Sequence, residues 1–232
     1  SLVGSEMCIR DRNEKLKVFG PEGIKKITDG FEQAYALDAQ YRFDHHGDAV
    51  LVQSANGYEA ITISPSESPF YNDGDLKITA FLVEHEPVSP SLGFRFDYKG
   101  RSIVFSGDTI YSENLLKYAK DADVLFMEAL SMDIIGRLQK AQESIGNERN
   151  AKIMFDIQDY HISPKDGARL AKQANVKHLV FYHLAPAPVI SLMAEVFTRG
   201  VDEIFSDFTL ADDGTHVVLP KDSKEIKISS IN

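Results

Sequence analysis

The chain has no tryptophan and a single cysteine, Cys8. One cysteine makes neither an internal disulfide nor a CxxC zinc site, so covalent staples of that kind are excluded. No apolar run approaches the roughly 20 residues a membrane-spanning helix needs, so no membrane partner is expected. Basic residues are in deficit, 25 Lys and Arg against 35 Asp and Glu, for a net charge of -10. An acidic average surface repels polyanions and argues against sequence-independent nucleic-acid binding. Repeats, low-complexity tracts and linkers are also missing. What is present is 232 residues, 43% of them hydrophobic and 26% charged. That suits one globular domain with a sizeable core.

Ser1 to Arg12 (SLVGSEMCIRDR) follows neither a helical nor a strand period. It resembles translated sequencing-adapter read-through. Residues 1–12 are therefore expected to be a disordered leader, and residues 13–232 the folded part.

Leu16 to Phe19 reads as a strand, and Pro21 opens a helix whose apolar residues run from Ile24 to Leu37. Val50 to Val52, Ala60 to Ile63 and Leu76 to Glu84 read as strands. Gly93 to Tyr98 and Ser102 to Ser106 form a hairpin across Lys99-Gly100. Then come a helix over Asn114 to Ala122, a strand over Val124 to Met127 and a helix over Asp133 to Gly146. Ser163 caps a helix running from Pro164 to Ala174. A strand over Leu179 to Tyr182 and a helix over Val189 to Arg199 follow. Phe205 to Ala211 and His216 to Leu219 close the chain as a hairpin around Asp212-Asp213-Gly214. Antiparallel-looking strands first, then strands mixed with helices, predict a layered α/β protein with a mixed sheet.

Three strands run into a metal-competent side chain. Phe81-Leu82-Val83-Glu84 leads to His85, Ser102 to Ser106 leads to Gly107-Asp108, and Leu179 to Tyr182 leads to His183. Strand ends hold such groups rigidly while the loops beyond leave room for a substrate. Gly107 allows a tight turn before Asp108. Two imidazoles and a carboxylate are donors that zinc accepts, and a carboxylate can bridge two ions. Singly, each such histidine is more often a hydrogen-bonded structural residue, and Gly-Asp-Thr is a common turn tripeptide; the ordered set is more informative.

Phe81 to Thr109 (FLVEHEPVSPSLGFRFDYKGRSIVFSGDT) resembles the middle of the metallo-β-lactamase fold, in the branch holding ribonuclease Z and arylsulfatase-type hydrolases. The motifs are His85 then Gly93-Phe94-Arg95, Ser106-Gly107-Asp108-Thr109, Asp123 to Ala129, His161-Ile162-Ser163, and Leu179 to His183. The resemblance spans Leu16 to about Leu219. It implies an αββα sandwich and a two-zinc site. In it His85 and His183 would each complete one metal's shell and Asp108 would bridge both. His161 would protonate the leaving group, oriented by Glu128. The bland alternative is that Glu128 and His161 are a buried polar pair.

Two departures stand out. The family's His-x-His-x-Asp-His is absent and would fall before Leu16. The fold is thus expected to be incomplete at its N-terminus and this chain alone inactive. His45-His46-Gly47-Asp48 has the wrong spacing, so His45 and His46 are read as loop residues. The second departure is Met127, which replaces the histidine of the family's His-Glu-Ala. His178 and His216 are read as surface residues.

The resemblance implies a metal-dependent hydrolase in the parent protein, a metal-activated water attacking a phosphodiester, sulfate ester or lactone. The tRNA-processing members insert a long arm where this chain has only Tyr98 to Arg101. That and the acidic charge favour a small ester over tRNA as the partner. A non-catalytic binding protein is the alternative if the half-built site is genuine. Met193 and Phe197 fit either a homodimer contact or helix-core packing.

Overall fold

A computed structural model describes residues 12–231. Apart from Arg12, the expected leader lies outside the described residues. The chain divides into two compact units, Ser1–Ser64 and Pro65–Asn232.

In the first unit β1 (Leu16–Gly20) pairs in parallel with β2 (Tyr58–Thr62). Between them lie α1 (Ile24–Ala34) and α2 (Ala36–His46). The single helix expected to Leu37 is broken at Tyr35, whose backbone leaves the helical region. Unlike α1, α2 buries none of its residues. It is laced by exposed i,i+4 pairs, Arg42–Asp38 at 2.7 Å and Gln40–Asp44 at 2.6 Å. Such a helix carries little apolar periodicity to read. His45 and His46, expected in a loop, instead close its last turn. Val50 to Val52 is not a strand. The Val50 and Leu51 amides turn back onto the Gly47 carbonyl, and a three-residue apolar run does not distinguish the two conformations.

The second unit is built on a seven-stranded sheet in sequential order. Its strands are β3 (Tyr71–Asn72), β4 (Leu76–Val83), β5 (Ser91–Tyr98), β6 (Arg101–Phe105), β7 (Val124–Leu130), β8 (His178–Ala185) and β9 (Phe208–Leu210). Pairing is antiparallel from β3 to β6 and parallel from β6 to β9. The β5–β6 connection is the expected tight hairpin, with Lys99 and Gly100 both at positive φ. The helices are α3 (Glu113–Ala119), α4 (Met132–Ser144), α5 (Glu148–Asp156), α6 (Pro164–Gln173) and α7 (Ser191–Phe197). Ser112, Ser131, Asn147 and Ser163 cap the first four of these with their side-chain oxygens. The sequence reading missed α5.

β7 is buried almost throughout, as a central parallel strand covered on both faces must be. Phe81, Leu115, Leu125, Leu170, Leu179 and Phe181 are each less than 2% exposed around it. Burial of each such side chain stabilises the fold by about 1.5–3 kcal/mol. Phe197 joins this core, which favours the packing explanation over a dimer contact.

The expected closing hairpin does not form. β9 extends the main sheet beside β8, with Phe208 and Leu210 packed on the core. β10 (Thr215–Val218) pairs instead with β11 (Lys227–Ser230) in a separate two-stranded sheet. Arg101 tethers the segment before β11. Its Nη1 donates to the carbonyls of Pro220, Ser223 and Glu225, and its Nε donates to buried Asp123 at 3.1 Å. Burial pushes the Asp123 carboxyl up, but Lys177, Arg101 and the Ser102 amide outweigh it and hold the group below its ordinary value. His178, expected at the surface, is half-buried. Its Nε2 lies 2.9 Å from Thr209 Oγ1, and burial, opposed by Asp207, lowers its pKa. His216 is exposed as expected.

Candidate functional site

Two antiparallel steps, β4 to β5 and β5 to β6, leave β4 running in the same direction as β6, β7 and β8. Their C-terminal ends therefore share one edge of the sheet. His85 follows β4, Asp108 follows β6, Glu128 lies in β7 and His183 in β8.

Asp108 is delivered by a strained turn. Gly107 has φ +63°, and a Cβ there would stand 2.3 Å from the Leu92 carbonyl oxygen. Only glycine fits that approach. Ser106 Oγ donates to the Gly107 carbonyl at 2.6 Å and accepts the Glu128 amide at 3.0 Å, which ties the turn to β7.

His183 is delivered by a bulge. Glu128 stands opposite Tyr182 and Ala129 opposite Leu184, so His183 is the extra, unpaired residue. Its φ is +46°, a left-handed conformation rare for a side chain of this size. Bulges re-aim side chains, and strained backbone concentrates where geometry serves a site. The His183 imidazole is exposed, with Nε2 3.5 Å from Asp108 Oδ1.

Glu128 is fully buried. Its Oε1 accepts from the Thr109 amide at 3.1 Å, from His161 Nδ1 at 2.9 Å and from the Ile162 amide at 3.3 Å. One carboxylate oxygen thus registers the Asp108 loop against the His161 loop. Its Oε2 has no partner among the described residues. Met127 beside it is apolar and fully buried, so it donates no bond there. Burial pulls the His161 imidazole down. The Glu128 hydrogen bond and the charges of Glu128 and Asp108 outweigh this and leave its pKa raised.

His85 Nδ1 lies 2.7 Å from the Tyr160 carbonyl. A carbonyl only accepts, so Nδ1 is the donor in this bond, which leaves Nε2 as the ring nitrogen available to a metal ion. The His85 and His161 rings are 5.1 Å apart, and those of His161 and His183 6.1 Å. All five residues read from the sequence therefore gather in one place. The roles of Ser106, the Thr109 amide and Tyr160 were not read. Ser106 and Thr109 stood inside a quoted motif, but a backbone amide leaves no trace in residue type. Nothing in the sequence marks Tyr160.

The donor chemistry fits zinc at one edge. Two ligands of a tetrahedral ion, each about 2.0–2.2 Å from it, stand roughly 3.3 Å apart. The Asp108–His183 separation of 3.5 Å matches. Among the described residues no three His, Cys, Asp or Glu side chains converge as one ion site. His85 stands outside that pair.

A mixed sheet with helices and a His/Asp site at its strand ends defines a metallo-β-lactamase-type α/β fold. The beta-lactamase superfamily domain matches residues 6–184, and the chain belongs to that family. Ribonuclease Z of Mycobacterium bovis BCG is 28% identical over 172 residues, covering 74% of this chain and 56% of its own length. Ribonuclease Z of Mycobacterium avium is 28% identical over 199 residues, covering 85% and 65%. The metallo-beta-lactamase fold protein YhfI from Bacillus subtilis superposes with a TM-score of 0.51 at 16% identity, over 89% of this chain and 67% of that one. The chain spans only 56–65% of the length of these two ribonuclease Z relatives. Metal binding is typical of the fold. Among the described residues no helix is long and apolar enough to cross a membrane.

Proposed function

We propose that the protein is a metal-dependent hydrolase that cleaves a phosphodiester, sulfate ester or related ester, with zinc as the metal. The carrying observation is the gathering of His85, Asp108, Glu128, His161 and His183 at one sheet edge. Asp108 and His183 would hold one ion and His85 would serve a second. Bound zinc supplies a water acidified to near neutral pH. The chain's own part is proton handling. Glu128 holds Nδ1 of His161, which leaves Nε2 as the atom that carries a proton to the departing oxygen. The raised pKa of His161 keeps more of it protonated at neutral pH.

A second reading, an endoribonuclease processing tRNA 3′ ends, is favoured by the name ribonuclease Z carried by the relatives. The two-residue β5–β6 turn and the net charge of -10 favour a small ester. Cleavage of a tRNA precursor against a nitrophenyl sulfate and a nitrophenyl phosphodiester by the full-length protein separates them. No turnover of any of the three, with zinc supplied, would sink the hydrolase reading.

A further inference from the structure

We infer that Tyr160 is the substrate-positioning residue of this site, its ring a platform for a planar aromatic group carried next to the scissile ester. The inference rests on the hydrolase reading above and names part of its substrate class.

Three observations carry it. The Tyr160 backbone is pinned, because its carbonyl takes the His85 Nδ1 proton at 2.7 Å. Its ring reaches both site histidines, with centroids 5.0 Å from His85 and 4.9 Å from His161. Neither contact is a parallel stack; the planes cross at 87° and 53°. Parallel stacking does occur elsewhere in the protein, in Phe81–Tyr118 and Phe105–Phe126 at 4.4 and 4.5 Å, beside edge-on pairs such as Phe181–Phe208 at 68°. No ring lies parallel on Tyr160 among the described residues. Half-buried, the side chain stands outside the buried core cluster. An aromatic ring beside a reactive centre with an unstacked face suits a second ring, because stacking is tolerant of ring identity. The carbonyl belongs to the backbone, so substitutions at Tyr160 leave the His85 link in place and change the ring alone.

The test is equilibrium binding to the full chain, with zinc supplied, of phenylphosphonate, adenosine monophosphate and methylphosphonate. Phenylphosphonate carries an aryl ring, adenosine monophosphate a nucleobase, and methylphosphonate no ring. The wild type should bind at least one ring-bearing probe several-fold to tenfold more tightly than methylphosphonate. Which one it prefers identifies the ring as an aryl group or a nucleobase. Tyr160→Leu should abolish that preference and leave methylphosphonate affinity unchanged, while Tyr160→Phe should restore it. On a turned-over nitrophenyl ester, Tyr160→Leu should raise KM more than it lowers kcat. Equal affinity for ringed and ringless probes, or a preference that survives Tyr160→Leu, overturns the inference and leaves the hydrolase site standing. Failure of every probe to bind overturns both. Should Tyr160→Leu fail to fold, Tyr160→His, which keeps a planar ring, must retain the preference.

Discussion

Gly107→Ala tests how the Asp108 turn is built. Alanine held at φ +63° costs about 1–2 kcal/mol in the left-handed region. The new methyl would also sit 2.3 Å from the Leu92 carbonyl oxygen, and that neighbour is backbone of β5, which cannot rotate away. Relief requires the turn or β5 to shift, an overpacking cost of about 1–3 kcal/mol. The expected total is about 2–5 kcal/mol. Gly100→Ala is the matched control. Its φ is +78°, but nothing lies within 4 Å of an added Cβ, so it should lose only the left-handed cost. Urea denaturation followed by circular dichroism gives both values, provided the slopes agree. The difference, about 1–3 kcal/mol, isolates the close approach to Leu92. If the two variants lose the same stability, Gly107 is there for its φ alone and the account of the turn is wrong.

Further outcomes follow from named contacts at Glu128, Arg101, Asp123 and His183. Glu128→Ala strands the Thr109 and Ile162 amides and His161 Nδ1, and should cost at least about 3 kcal/mol in urea denaturation. Glu128→Gln should lower the His161 titration midpoint read by NMR; an unchanged midpoint would show that the carboxylate does not raise it. Arg101→Met should cost about 1.5–3 kcal/mol by removing the charge-assisted hydrogen bond to Asp123, which keeps Lys177 as its one charged partner. It should also speed amide exchange over residues 220–230, and unaltered exchange there would refute the tether. The Asp123 carboxyl has a lower pKa folded than unfolded, so as pH falls the unfolded chain takes the proton first. Its contribution is complete above the unfolded value of about 4 and fades as pH falls through the folded one. Asp123→Asn should flatten that acid limb of the stability curve, and an equally steep limb would remove Asp123 as its source. His183→Gly should be about 1 kcal/mol more stable than His183→Ala, since glycine alone is free at φ +46°; equal melting of the two would argue against strain at the bulge.

Much of the second unit was legible before any coordinates. The β5–β6 hairpin, the Ser163 cap and the strands leading to His85, Asp108 and His183 declare themselves through alternation, turn chemistry and capping residues, which act within a few positions. Elsewhere local signals ran out. α2 is held by exposed polar pairs and has no buried stripe to betray it. β9 and β10 look like hairpin partners because Asp212-Asp213-Gly214 is a turn, yet β9 pairs back with β8 and β10 pairs onward with β11. His178 reads as an exposed residue in the sequence, and only the tertiary fold half-buries it beside Thr209.

By itself the sequence determined the family and the order of the site residues. Those rest on residue type and spacing. Tertiary structure alone decided that β4, β6, β7 and β8 point their C-terminal ends to one edge, and that a bulge turns His183 toward Asp108. It also decided that a single oxygen of Glu128 ties two loops 19 and 34 residues away in sequence. Strand direction, bulge register and backbone donors are properties of pairing between distant segments, and no local window of residues carries them.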